Sequence, residues 1–419
     1  MPPPLDASSS LLRDRRFVLL VSARTVSVLG SAFARVALAF AVLALPGASA
    51  GRLSLVQCCL ALPQVTFVLG GGVVADRMSR SRLMVVSDLL GGPAYAGLAV
   101  MVLTRHAPLP AMCLLTAVAG TGTALFWPAM ASVVPLLVRA DRLQRANATL
   151  RIFQNGATLL GLSLSGLVVA LLGPGWALAI NAASYLASAL LVRGLRVTAR
   201  PRAASSGRAD LRDGWREFAR RQWLWVVVAQ FAFLVAAMSA VNGVLGPLAA
   251  QRGLGGARGW SYVVGAQALG TLVGAGVALR LRVRRPILVA VVAMFPVALP
   301  MALLAVRAPV WWVCGANFGV GVATDVFGAL WAATMQREIP DEVLGRVSAY
   351  DVFGPLAFAP LGTLVAGPAA VAFGLYRTLA GCAVLTVLAT VAALLSRDVR
   401  TLRAPDPGRH RDPAESLPA

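Results

Sequence analysis

Two charged side chains sit where charge is costly. Asp325 lies about ten residues inside a long apolar run, or roughly 15 Å from its end at about 1.5 Å of helix rise per residue. Arg24 lies about seven residues inside another run, roughly 10 Å deep by the same rise. Holding such a charge at the centre of a lipid-spanning helix costs roughly 2.5–3.5 kcal/mol on insertion scales, so it marks an ion pathway, a substrate contact or a paired counter-charge. A carboxylate at that depth is suited to exchanging a proton with either side of the membrane. Asp325 is therefore the expected proton-coupling switch. Arg24 is its expected partner or a contact for an anionic substrate. A fixed ion pair between them, or a watery cavity wall, is the alternative.

Three further charges have lesser expected roles. Arg35, in the outer half of the first apolar run, either reaches the interface by snorkelling or touches substrate. Asp88 is five residues into the third run and Asp351 is just inside the eleventh; both are expected in ion pairs. Phe126, Trp127, Gln230, Asn242 and Trp331 fall on runs expected to border a cavity, where an apolar wall with few polar anchors suits an amphipathic ligand. Each fits plain packing as readily. His106 and His410 are isolated, and the five cysteines lie in apolar runs with no C-x-x-C, so no metal site, cofactor or catalytic cluster is expected. The 17 acids are scattered without a paired-carboxylate motif, which argues against a polytopic membrane enzyme.

The elements that carry these residues follow from composition. Of 419 residues, 58% are hydrophobic and 13% charged, with mean hydropathy +0.75, well below the charge content of soluble domains. A bilayer core of about 30 Å needs about 20 helical residues. Such runs lie near 17–45, 53–75, 83–104, 108–138, 152–172 and 175–193, then near 223–249, 260–281, 287–306, 309–335, 348–373 and 376–396. The expected fold is an all-α polytopic membrane protein of twelve transmembrane helices in two six-helix pseudo-repeats. The first run is too long, and lacks the small-residue site, for a removed signal peptide.

Arginine placement sets the orientation. All 38 basic residues are arginine; 30 fall in segments on the side of the termini, six in turns on the other side, and two are Arg24 and Arg35. This positive-inside bias puts both termini in the cytoplasm. It also assigns the net charge of +21 to membrane insertion and anionic lipid rather than nucleic acid. The expected organisation is a cytoplasmic tail (1–16), a six-helix bundle (17–193), a cytoplasmic loop (194–222), a second bundle (223–396) and a cytoplasmic tail (397–419). The loop ends in an amphipathic stretch expected on the membrane surface, with Trp215 and Trp223 at the interface.

The turn at residues 72–82, GVVADRMSRSR, joins two spans with a glycine, an Asp-Arg pair and two more arginines. It has a degenerate echo at Gly276 to Arg284, and Trp127…Pro135 is echoed by Trp331…Pro340. The turn resembles the signature loop of the major facilitator superfamily. The stretches SARTVSVLGSAFARVALAFAV, FWPAMASVVPLLV, DLRDGWREFARRQWLW and LWAATMQREIPDEVLGRVSAYD resemble its enterobactin-exporter-like and macrolide-efflux branch, over roughly residues 17–370. Two positions depart from related antiporters: Thr116 replaces the arginine of R-x-x-Q-G, and Leu162 replaces the proline of G-P-x-x-G-G. Proton coupling must then rest on this chain's own intramembrane charges.

The resemblance implies a secondary exporter of small amphipathic molecules, drug-like or siderophore-like, working by alternating access in the plasma membrane, with proton antiport. Its implied partners are a small-molecule substrate, protons and the lipid bilayer, and it is expected to act as a monomer. Gly72, Asp76, Arg77, Arg80 and Arg82 are then a conformational latch, or else only a topology anchor. A solute importer or lipid transporter of the same fold is the alternative within transport.

Overall fold

The structure, a computed structural model, describes residues 14–77, 80–138, 142–194, 215–281 and 283–403; within these, the side chains of 67–80 and a few others are not described. Six long helices come first: α1 (Arg15–Leu43), α2 (Ala50–Arg77), α3 (Arg80–Leu103), α4 (Leu109–Leu137), α5 (Leu143–Leu171) and α6 (Pro174–Arg193). After a helical turn over 215–220, α7 (Gln222–Ala240) passes through a π-helical turn, Val241–Leu245, into α8 (Gly246–Gly253). Then follow α9 (Gly256–Arg280), α10 (Pro286–Val292), α11 (Ala298–Ala305), α12 (Val310–Glu338), α13 (Asp341–Ala372), α14 (Leu375–Leu395) and the short α15 (Arg397–Thr401). Among the described residues, eleven stretches are helical, long and apolar enough to cross a membrane, with α7–α8 and α10–α11 each counted as one.

Local chemistry sets the ends of these helices. Asp14 caps α1, its carboxylate accepting from the Arg16 N–H at 2.7 Å. Pro296 stands in a single 3₁₀ turn, Phe295–Val297, that separates α10 from α11, as expected of a residue with no N–H to continue the ladder. α5 begins nine residues before the apolar run near 152, because its first turns (LQRANATLR) are polar yet helical. Hydropathy marks what lipid tolerates, not where the hydrogen-bond ladder starts.

The packing of the first six long helices recurs in the rest. In the first set α1 packs on α5 and α6, α2 on α4, and α3 on α6. In the second set α7 packs on α13 and α14, α9 on α12, and α11 on α14. The turns repeat as well. Arg105 and Arg307 both take a left-handed backbone (φ 56° and 58°). Gly173 and Gly374, at the entrances to α6 and α14, have φ of 92° and 85°, a region only glycine enters cheaply. Closest approach repeats too: a Cβ on Gly120 would overlap the Leu60 carbonyl oxygen, and one on Gly321 the Gln267 carbonyl oxygen. Without a hydrophobic force between helices in lipid, such small-residue crossings supply the attraction through van der Waals contact.

The sets meet chiefly through α2 on α13 and α5 on α9. Gly367 of α13 packs against Ala50 and Ser54 of α2; Gly166 of α5 packs against Ala257 and Ser261 of α9. Both contacts lie at the same end of the molecule. Ser54 and Ser261 are each 1% exposed, and their hydroxyls have no hydrogen-bond partner among the described residues. Farther along, a Cβ on Gly156 of α5 or Gly276 of α9 would meet nothing within 4 Å.

Candidate functional site

Between the two sets lies a cavity of three adjoining chambers, beginning just beneath the paired glycine contacts. The deep chamber, about 280 Å³, has Arg35 of α1, Asn155 and Thr158 of α5, and Gln267 and Thr271 of α9 on its walls. The middle chamber, about 510 Å³, shares Arg35 and Asn242 with it and adds Gln57 and Gln64 of α2, Tyr95 and Tyr185. The third chamber, about 490 Å³, shares Phe231, Val235 and Thr324 with the middle one and is otherwise walled by Phe327, Trp331 and Asp351. Each large chamber falls in the size range of small-molecule sites.

Helix geometry puts the polar groups on these walls. Asn155 and Thr158 are three apart and Gln267 and Thr271 four apart, so each pair shares a helix face. Asn242 lies in the π-helical turn, which widens the helix and re-aims side chains, a device frequent at functional sites. Gly243 of the same turn accepts a hydrogen bond from Gln57 Nε2 at 3.2 Å, tying the two sets together.

In the third chamber the rings form a ladder. Phe231 stacks on Phe327 at 4.9 Å and Phe327 on Trp331 at 6.1 Å, with Trp223 edge-on to Trp331 at 5.5 Å. The Trp331 indole N–H donates to both Asp351 oxygens, at 3.1 and 3.2 Å, which fixes the carboxylate at the end of the ladder.

The structure does not pair Asp325 with Arg24. Arg24 lies over the Phe126 ring at 4.8 Å, within electrostatic range of Tyr185 and Asp88, inside the first set of helices. Asp325 is partly exposed on α12, close to Gly274 of α9, and the cation acting on it is Arg151 of α5, from the other set. Depth in a span was readable; the partner depends on helix rotation and neighbours, which hydropathy leaves free.

Other expectations shift in the same way. Asp88 is fully buried on α3, beside Ser188 and within reach of the Arg24 charge, rather than paired with a loop arginine. Asp351 is held by an indole instead of a cation. Arg35 turns into the cavity and does not snorkel outward. Gln230 faces away from the cavity: its amide donates to Thr390 of α14 at 3.3 Å. Phe126 is 5% exposed and serves as the ring beneath Arg24, not as cavity wall. Asn242 and Trp331 do line the cavity. Trp215 is half exposed and stacked on Phe218, whereas Trp223, expected at the interface, is buried against Trp331. The Trp127 side chain lies outside the described residues. So do those of Gly72, Asp76, Arg77 and Arg80, whose backbone ends α2 and begins α3; Arg82, in the first turn of α3, is exposed.

The sequence reasoning missed Tyr95, Tyr185, Phe231, Phe327, Gln57, Asn155 and Gln267. The signal for the polar ones was present: amides recur at helical spacing within otherwise apolar runs. The aromatic ones left no such signal, since a buried ring and a cavity ring look alike in sequence.

Known proteins set this geometry in context. Over 91–92% of its length the chain superposes on a bacterial homologue of the iron transporter ferroportin in an inward-facing state and on the nucleoside transporter NupG. The TM-scores are 0.73 and 0.76, at 17% and 13% identity, covering 99% of each of those chains; at such identity the likeness concerns fold alone. In sequence it is 28% identical to the multidrug efflux pump Tap of Mycolicibacterium fortuitum over 363 residues, 82% of this chain and 87% of that one. A model of the Major Facilitator Superfamily matches residues 20–354. The chain therefore belongs to the Major Facilitator Superfamily and is a multi-pass transporter of the plasma membrane.

Proposed function

We propose that the protein exports small amphipathic molecules by alternating access, coupled to proton entry. The observation that carries this reading is the cavity itself: it lies between two similarly packed sets of helices, sealed at one end by paired glycine contacts and walled by rings with a few polar anchors. With α2 as a further crossing the chain has twelve spans. The arginine distribution then puts both termini and the 194–222 connection in the cytoplasm, so the sealed end faces outward and the cavity faces inward. The two bundles, 17–193 and 223–396, rock about this cavity as one monomer in the bilayer. The relatives named as efflux pumps support outward transport.

Asp325 is the proton-coupling group in this reading. Its charge draws Arg151 across the two sets, so protonation weakens one attraction between the bundles and biases their relative position. Arg24 and Asp88 form a structural charge cluster within the first bundle. The loop from Gly72 to Arg82, with Asp76, Arg77 and Arg80, acts as a latch at the cytoplasmic end.

Everted vesicles with an imposed proton gradient test this function. Substrate accumulation with proton release is expected from the wild type, and Asp325→Asn should lower gradient-driven export at least tenfold while the folded protein still inserts. Uptake seen only in right-side-out vesicles would replace export with solute import, and gradient-driven export unchanged in Asp325→Asn would remove Asp325 from the coupling.

A further inference from the structure

Arg35 has no counter-charge. Among the described residues no hydrogen bond or ion pair reaches it, and no carboxylate lines either of the two chambers it borders. Around it stand neutral groups: Asn155, Thr158, Asn242, Gln267 and Thr271. Arg24, the other arginine of α1, has a ring and an acid for neighbours. A cation alone beneath the sealed end has a definite cost. While the cavity holds water, the guanidinium is solvated. When the cavity closes on its cargo that water leaves, and an unpaired buried charge is strongly penalised.

We propose that Arg35 receives an anionic group of the cargo, so that the substrates are amphipathic organic anions carrying a carboxylate, sulfonate or phosphate at one end. The planar fork of a guanidinium matches the paired oxygens of such groups. The surrounding amides and hydroxyls donate to the remaining oxygens, and the rings of the third chamber hold the apolar body. Selectivity then arises at closure: an anion neutralises Arg35 as water departs, whereas a neutral analogue leaves the charge buried and alone. This deepens the export reading and rests on the same cavity, but it does not depend on the direction of transport or on the coupling ion.

Binding to the full chain in lipid nanodiscs tests the assignment, with empty nanodiscs as the baseline. Two fluorescent probes with one ring system serve: 1-anilinonaphthalene-8-sulfonate, which is anionic, and N-phenyl-1-naphthylamine, which lacks the sulfonate. Arg35→Gln should weaken sulfonate binding roughly tenfold to a hundredfold, the range of a charged hydrogen-bonded contact, and change the neutral probe less than twofold. Arg35→Lys, which keeps the charge but loses the fork, should recover part of the loss. Equal weakening of both probes, no change in either, or no saturable sulfonate binding to the wild type would each overturn the proposal. If the sulfonate effect stands while everted vesicles show no export, the anion site holds and the export reading falls.

Discussion

The deep chamber and the aromatic chamber occupy one cavity yet are built from opposite materials. The first is walled by amides and hydroxyls around a cation from α1; the second is walled by stacked rings around a carboxylate from α13. Arg35 is about eight residues from the sealed-end terminus of α1, roughly 12 Å at about 1.5 Å per residue. Asp351 is 16 residues along α13 from the glycine contact at Gly367, roughly 24 Å by the same rise. The two poles thus lie at different depths and belong to different sets of helices. Any rocking of one set against the other moves the poles relative to each other, so the field within the cavity changes with its conformation. A wall of one chemistry selects by shape; a wall with two chemistries also orients what it holds.

Removing the ladder should break this contrast most strongly. Trp331→Ala deletes a ring that is 8% exposed and the donor that fixes Asp351, so the protein should lose roughly 3–5 kcal/mol of stability, as buried Trp truncations do. Thermal unfolding in nanodiscs reads this directly; an unchanged midpoint would mean the ladder does not organise the chamber. Asp351→Asn keeps the rings and removes only the charge. Binding of ethidium, a flat cation, should weaken about fivefold to tenfold, the scale of one charged contact, while binding of the sulfonate probe stays within twofold. Loss of both together would merge the two poles into one site. The smallest effect is expected from Asn242→Ala, which removes one neutral hydrogen bond worth about 0.5–1.5 kcal/mol. It should weaken the sulfonate probe about threefold, and an effect as large as that of Arg35→Gln would make the π-helical turn, not the arginine, the centre of recognition.

Much of the architecture was legible before any coordinates. Apolar runs located the helices to within a few residues at most ends, because the lipid core sets a length that composition must meet. The sequence echo of Trp127…Pro135 at Trp331…Pro340 anticipated helix pairings that recur between the sets. The rotation of each helix was not legible. Gln230 and Asn242 are on one helical run, yet one meets Thr390 and the other the cavity, and the π-helical turn between them shifts the phase that an ideal helix would keep. Arg35 shows the same limit: counting residues gave its depth correctly, but only the packing of α5 and α9 reveals that it turns inward. Asp325 and Arg24 have comparable depth and opposite charge, which is not enough to make them neighbours.

The sealed end has a consequence for how readily the molecule moves. Ser54 and Ser261 each press a hydroxyl without a partner against a glycine of the opposite set. An unmet buried hydroxyl costs on the order of 1–3 kcal/mol, recovered once water reaches it. The seal is therefore preloaded like a compressed spring: close-packed backbones hold it shut, and two thirsty hydroxyls push towards release. A carrier must visit both of its states many times a second, and a latch with its own recoil keeps either state from becoming a trap.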